Sequence, residues 1–302
     1  MSEKFLISGD HNVPTKRHGV RNVLELGGNI AEVLHLSALC PDASVLHLSP
    51  TPIPRIELPN QISCSHIPSS DLPRLPYPSS SLDTIRTSTL PSLLPSAQIP
   101  ALLTECHRVL APGGTLELRL LDPLPDRKTS GPFLRAWIEV RLLLNLEMSF
   151  RCTRPSLLIP QWIQAAGFEL RSSASAAWTA GREREREKRG WRAKVGGYRA
   201  EGSASASASA RNRSMSEALG MARILQVPAA NDNQGVIGAY MDEEVAVMVG
   251  RELWKDVWGE FVTERKGEEK WWWENAGCVK EALERDTKWS VLTLLAVKPE
   301  VQ

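Results

Sequence analysis

The sequence predicts an α/β chain built around a mainly parallel sheet. Three observations predict it. Short apolar runs alternate with stretches of helical periodicity, in the order strand, helix, strand, helix. Glycine pairs punctuate the strand and helix ends at Gly27-Gly28 and at Pro112-Gly113-Gly114. Apolar residues make up 42% of the 302 positions, enough to bury a sizeable core.

Val23–Leu26 is an apolar run that stops at Gly27-Gly28, so it reads as a buried strand entering a turn. Ala31–Ala38 follows as a short helix, ended by Pro41-Asp42. Val45–Leu48 reads as a second strand, and the Pro- and Ser-rich stretch 50–80 as mostly loop. Ser81–Thr87 is a weakly signalled third strand. Ala101–Leu110 has helical spacing and meets a hard stop at Pro112-Gly113-Gly114. Thr115–Leu121 alternates as a strand does. Phe133–Phe150 and Pro155–Ala166 are helices, and Phe168–Ser172 is a strand.

The composition then changes. Arg182–Arg192 alternates Arg and Glu, and Ser203–Ala210 repeats Ser and Ala. Such a stretch buries too little apolar surface to offset the entropy of ordering, so about 181–214 is expected to be disordered. The interleaved Glu residues favour a solvated linker over a nucleic-acid contact. Helical spacing returns over Met241–Val262, then over Trp271–Glu284, and Trp289–Val297 is a strand. The expected division is 1–180 core, 181–235 low-complexity insert, 236–288 helical insert and 289–302 last strand. Trp254, Trp258 and Trp271–Trp273 are assigned to core in preference to a pocket or partner surface.

The net charge of +1 gives no overall pull toward nucleic acid or membrane. Five cysteines without paired spacing argue against a disulfide framework. The opening residues lack the apolar core of a signal peptide, and no apolar run approaches the roughly 20 residues a bilayer needs. A cytosolic or nuclear protein is expected. His35, His47, His66 and His107 do not fall at zinc spacing, so no metal is expected. No P-loop, G-x-S-x-G or G-x-G-x-x-G is present.

The most informative stretch is Glu105-Cys106-His107-Arg108-Val109-Leu110-Ala111-Pro112-Gly113-Gly114, a helix running into a glycine turn and then a strand. Upstream stand Asp71-Leu72-Pro73-Arg74-Leu75-Pro76-Tyr77, followed by Ser81-Leu82-Asp83, and Val23-Leu24-Glu25-Leu26-Gly27-Gly28. With these three motifs in order, residues 20–172 resemble class I S-adenosylmethionine (SAM) dependent methyltransferases. The resemblance implies a Rossmann-like, mainly parallel seven-stranded sheet with an antiparallel last strand and helices on both faces. It also implies that the segments near residues 25, 71 and 112 converge on one adenosine-shaped crevice at the carboxyl ends of the strands. The helical regions 133–166 and 236–286 are then expected to flank the mouth of that crevice.

The implied cofactor-binding set is Glu25, Gly27, Gly28, Asn29, His47, Asp71 and Leu72. Glu25 would fix the glycine loop, Asp71 would accept from the adenine amino group, and the Leu72 amide would lie near the ring. Two departures stand out. Asn29 and Ala31 replace the second and third glycines of the family's loop, and Asn29 with Ile30 is expected to crowd its floor. His47 stands where the family has an acid holding both ribose hydroxyls. A neutral imidazole accepts one hydrogen bond, not a bidentate pair, and losing a charged acceptor costs roughly 1.5–3 kcal/mol. Glu57 lies further along and offers a substitute carboxylate.

The resemblance therefore implies SAM-dependent methyl transfer to a small-molecule or protein acceptor, with no general base assigned. The alternative is a methyltransferase-like binding or regulatory protein without catalysis, with a protein partner. Asn29, Ala31, His47 and the short stretch of about 22 residues before the first strand favour that alternative.

Overall fold

The computed structural model of the chain describes residues 21–52, 58–179 and 236–300, with side chains in the last span described from residue 246. The insert expected over 181–235, and Glu57, lie outside the described residues. Strand β1 is Arg21–Leu26, helix α1 Ile30–Leu39, β2 Ala43–Ser49, β3 Ile62–His66 and β4 Leu82–Thr87. Then come α2 Leu90–Leu93, α3 Ile99–Val109 and β5 Leu110–Leu121. A helical rod follows as α4 Pro132–Ile138, a π-turn Glu139–Leu143 and α5 Leu144–Met148. The chain continues with α6 Pro155–Ala165, β6 Glu169–Thr179, α7 Val236–Trp258, α8 Ala276–Glu284 and β7 Lys288–Val297.

The seven strands are ordered β3-β2-β1-β4-β5-β7-β6. β1 to β5 run parallel, and β7 runs antiparallel between β5 and β6. This is the Rossmann-like class I methyltransferase arrangement the resemblance implied. Leu24, Leu26, Leu46, Leu48, Ile85, Leu116, Leu118 and Leu120 face one side and pack with α3 and α6. On the other side α1 covers Val23 and Val45. Farther along that side, α4, α7 and α8 pack on Leu121, Trp289 and Val291.

The described part of 50–80 is mostly loop, as expected, and also holds β3, a polar and largely exposed edge strand (Ile-Ser-Cys-Ser-His) that carries no apolar run. Three sequence expectations are corrected. β6 extends past Ser172 to Thr179, since pairing with β7 stabilises a Ser/Ala-rich segment of weak intrinsic signal. The helix expected from Trp271 starts only at Ala276, capped by the Asn275 side chain on the Cys278 amide at 3.1 Å. The rod over Phe133–Phe150 is broken by its π-turn, within which buried Arg141 donates to the Thr263 carbonyl at 2.8 and 3.0 Å. Of the tryptophans assigned to core, Trp254, Trp258 and Trp272 are fully buried, whereas Trp271 and Trp273 are partly buried and pack against that cluster; Trp289, also fully buried, stacks on Trp178 and on Trp272.

Candidate functional site

From β1 the chain winds outward to β2 and β3, then returns to β4 on the other side of β1. That reversal marks the carboxyl ends of β1 and β4 as the place of the expected crevice, where open α/β sheets bind ligands. Gly27 turns the chain there with φ of 74°, and its amide donates to the Leu48 carbonyl at 2.8 Å. A Cβ on Gly27 would sit 2.6 Å from Leu93 and 2.7 Å from the Thr89 hydroxyl, so no larger residue fits. A Cβ on Gly28 would sit 2.6 Å from both the Glu25 and the Glu32 carboxylates.

Asn29 does not take a glycine-like conformation. Its φ is −79°, and it caps α1, its Oδ1 accepting from the Glu32 amide at 3.0 Å. Ala31 is an ordinary exposed helical residue, and Ile30 packs back against the small apolar cluster under α1. The loop is therefore built as a capped helix start and not as a second glycine turn, and Ile30 does not crowd its floor.

His47 is 1% exposed, and its Nε2 lies 2.7 Å from the Gly28 carbonyl. A carbonyl only accepts, so Nε2 carries the proton and the buried Nδ1 is left without a partner. Burial lowers its pKa, against the Gly28 hydrogen bond that raises it. The imidazole acts as a brace beneath the glycine turn. Asp71 is exposed, its carboxylate accepting from the neighbouring Ser70 hydroxyl at 3.1 Å. Leu72 is fully buried, in the core cluster that also holds Leu26, Leu48 and Leu75.

The other two motifs are physically joined. The Arg108 guanidinium donates to the carbonyls of Leu75 and Tyr77 at 3.2 and 3.0 Å, and to Glu105 at 2.8 and 2.9 Å. Glu105 in turn accepts from the Leu75 amide at 3.3 Å. The Arg108 hydrogen bond holds Glu105 below the usual carboxylate range. The E-x-x-R pair on α3 therefore clamps the Leu-Pro-Tyr loop.

The expected convergence of three segments does not occur. Gly113 donates to the Lys298 carbonyl, and Lys298 donates to Gly114, both at 2.9 Å. A Cβ on Gly114 would lie 3.2 Å from the carbonyl of Asp83, at the start of β4. The Pro-Gly-Gly turn therefore sits at the amino ends of β4 and β5, opposite Gly27. A helix-to-strand turn must deliver the chain to the start of its parallel strand, so this position follows from the connectivity.

Helix α7 reaches the crevice. Trp254 donates its indole N–H to the Pro123 carbonyl at 3.2 Å, and Asp256 accepts from the Asn29 amide group at 2.7 Å. Asp256 keeps contact with solvent, yet surrounding atoms and then Glu32 push its pKa up to about 6, against the Asn29 hydrogen bond.

Behind the glycine turn, on the α1 side of the sheet, lies a groove of about 590 Å³. Glu25 lines it, whereas Gly27, Gly28, Asn29, His47, Asp71 and Leu72 do not. One cross-strand row forms its floor, in which Glu25, Arg86, Glu117, Leu295 and Ser172 are successive neighbours, and His47 is the next residue of the row outside the groove. Arg86 pairs with Glu117 at 3.2 Å, and Arg119 approaches Glu32 at 3.9 Å. Glu25 is 2% exposed, and no hydrogen bond or ion pair engages its carboxylate among the described residues. Burial, then Glu32, holds its pKa well above the usual range. Glu32, Arg86, Glu117, Arg119 and Asp256 were not candidates from the sequence. For Glu117 and Arg119 the alternation in Leu116-Glu-Leu-Arg-Leu was the signal, since a strand of a parallel sheet covered on both sides reads as a continuous apolar run.

No family model matches the chain, and no curated protein does. Solved structures do match. Phosphoethanolamine N-methyltransferase 2 of Haemonchus contortus, in complex with phosphomonomethylethanolamine and S-adenosylhomocysteine, matches with 10% identity and a TM-score of 0.42. The match covers 93% of this chain and 49% of that one, so this chain spans about half its length. The cyclopropane synthase MmaA2 of Mycobacterium tuberculosis matches with 10% identity over 93% and 80% of the two chains, TM-score 0.44. The [4+2]-cyclase SpnF matches with 16% identity over 94% and 76%, TM-score 0.40. Likeness at this level carries no argument about activity, and the fold assignment stands on the strand order itself.

Proposed function

We propose that this chain is a SAM-dependent methyltransferase that binds the cofactor in the crevice between β1 and β4 and methylates a small-molecule or protein acceptor. The observation that carries this reading is the Gly27 turn of positive φ at the point where the sheet order reverses. The residues present fit one half of the cofactor. The tight Gly27-Gly28 turn and the acids beside it, Glu25, Glu32 and Asp256, suit the cationic methionine end. At the ribose end His47 is buried and engaged with Gly28, and among the described residues no carboxylate replaces it at the end of β2.

A second reading, a methyltransferase-fold binding or regulatory protein without catalysis, is favoured by His47 and by the Asn29–Asp256 contact that draws α7 to the loop. Calorimetric titration of the full chain with SAM and with its demethylated product separates the two. Saturation in the micromolar range with methyl transfer to an added acceptor pool supports the first reading. No heat at millimolar SAM rejects it. Recovery of binding in His47→Asp would assign the loss to the ribose end, and recovery only in His47→Asp/Asn29→Gly would assign part of it to the glycine loop.

A further inference from the structure

The rod formed by α4, the π-turn and α5 is apolar on both of its faces. Inward, Leu134, Trp137, Ile138, Leu142 and Leu146 are buried in the tryptophan-rich cluster. Outward, Phe133, Val140, Leu144 and Met148 recur at helical spacing and are all exposed, Met148 to 77%. Phe150, just past the end of α5, is 74% exposed. A surface helix ordinarily turns a polar face to water, and one that is apolar all round is covered on every side. These five side chains leave on the order of 500 Å² of apolar surface in water, as much as the largest patch of a typical monomer, which is often functional.

The charges along the stripe indicate what covers it. Arg135, Glu139 and Glu147 follow one edge at helical spacing, the two acids exposed and Arg135 partly so. Among the described residues none of the three makes an ion pair. Arg135 stands near the amino end of the rod and Glu147 near its carboxyl end. A twofold axis across the middle of the rod, near Val140, lays two copies antiparallel and sets the same edge of each against the other. Arg135 of one copy then stands opposite Glu147 of the other, at both ends. Phe133 falls between Met148 and Phe150 of the other copy, and Val140 and Leu144 meet near the axis. Glu139 has no counterpart and stays in water at the rim. A parallel pairing would set the charged edge against the uncharged one and leave Arg135 and Glu147 unpaired. The patch is self-complementary, as an isologous interface requires.

We infer that the outer face of the rod binds the same face of a second copy of this chain, antiparallel, with Phe133, Val140, Leu144 and Met148 as its apolar seam and Arg135–Glu147 ion pairs at both ends. The exposed apolar area is below the roughly 800 Å² per partner of a standard interface, which suits a dimer in reversible exchange with monomer. The interface does not rest on what the crevice binds.

Sedimentation equilibrium of the full chain from about 1 to about 100 μM tests it, a range chosen for a micromolar dissociation constant. The chain should pass from monomer to dimer, and a monomer throughout overturns the proposal. In the dimer Met148 should oxidise slowly in dilute peroxide, read by mass spectrometry. A monomer in which Met148 is protected would give the stripe to another segment of the same chain and overturns it equally. Leu144→Glu, at an exposed position, should hold the chain monomeric with native circular dichroism. Dimerisation of this variant as tight as wild type puts the interface elsewhere. Glu147→Arg should raise the dimer dissociation constant roughly tenfold, since two attractive pairs become repulsive. Arg135→Glu/Glu147→Arg exchanges the two charges and should return it to the wild-type value. A double variant no tighter than Glu147→Arg alone rejects the antiparallel register.

Discussion

Two faces of the same strands behave as different materials. On β1, β4 and β5 the residues Leu24, Ile85, Leu116 and Leu118 are fully buried against α3 and α6. Their immediate neighbours Glu25, Arg86, Glu117 and Arg119 point the other way, into a charged groove between α1 and the tryptophan-rich cluster under α7. The first face is ordinary close-packed core, where removal of atoms leaves cavities. The second holds buried charge, where stability depends on pairing and on protons. A difference of one residue in register separates stabilising core from charged groove.

The largest predicted effect lies on the apolar face. Ile85→Ala should lose about 2–5 kcal/mol in denaturant unfolding. Arg86→Met, one residue along, should change stability by less than about 1 kcal/mol, because its partner Glu117 remains half exposed. Equal losses at the two positions would erase the distinction between the faces. Next comes the clamp: Arg108→Ala should cost about 1–3 kcal/mol, through the carbonyls of Leu75 and Tyr77 and the Glu105 carboxylate it leaves without their donor. Arg108→Lys should recover little of it, since an ammonium cannot span all three acceptors as the guanidinium fork does. Limited proteolysis between residues 67 and 81 would report the loosened loop.

The charged face should respond with the opposite sign. Glu25 has a raised folded-state pKa, so with rising pH the unfolded chain releases this proton first and wild-type stability falls across that window. Glu25→Gln removes the penalty. Its melting temperature should match wild type in acid and exceed it by a few degrees near neutrality. A variant less stable than wild type at neutral pH would mean that Glu25 is paired after all. The smallest effect is expected for Asp256→Asn, which keeps an acceptor for Asn29 while removing repulsion from Glu32. Its gain should develop between the ordinary Asp value of 3.8 and about 6, and a thermal scan in steps of pH would locate it.

Much of the fold was legible because period and punctuation are local. The apolar run to Leu26 ending in Gly27-Gly28, the helical spacing before Pro112, and the strand at Trp289–Val297 each carry their own signal. β3 and the end of β6 did not, because Ser- and Ala-rich strands are stabilised by their neighbours in the sheet. The site was legible only in part. Gly27 stands where the motif placed it, but His47 and Asn29 could be matched to positions without revealing that one braces Gly28 and the other holds Asp256, 227 residues away. Motif order also concealed that Pro112-Gly113-Gly114 lies at the opposite end of the sheet.

The sequence by itself determined the element order, the turn at Gly27 and the alternation that splits β5 into an apolar and a charged face, since each rests on backbone geometry and neighbouring residues. Tertiary structure alone decided which charges meet. It ran Glu25, Arg86 and Glu117 side by side across three strands, left Glu25 without a partner, and brought α7 to the glycine turn. Cross-strand register and helix docking are long-range outcomes of packing, and no local spacing encodes which carboxylate finds a guanidinium and which is left facing the groove.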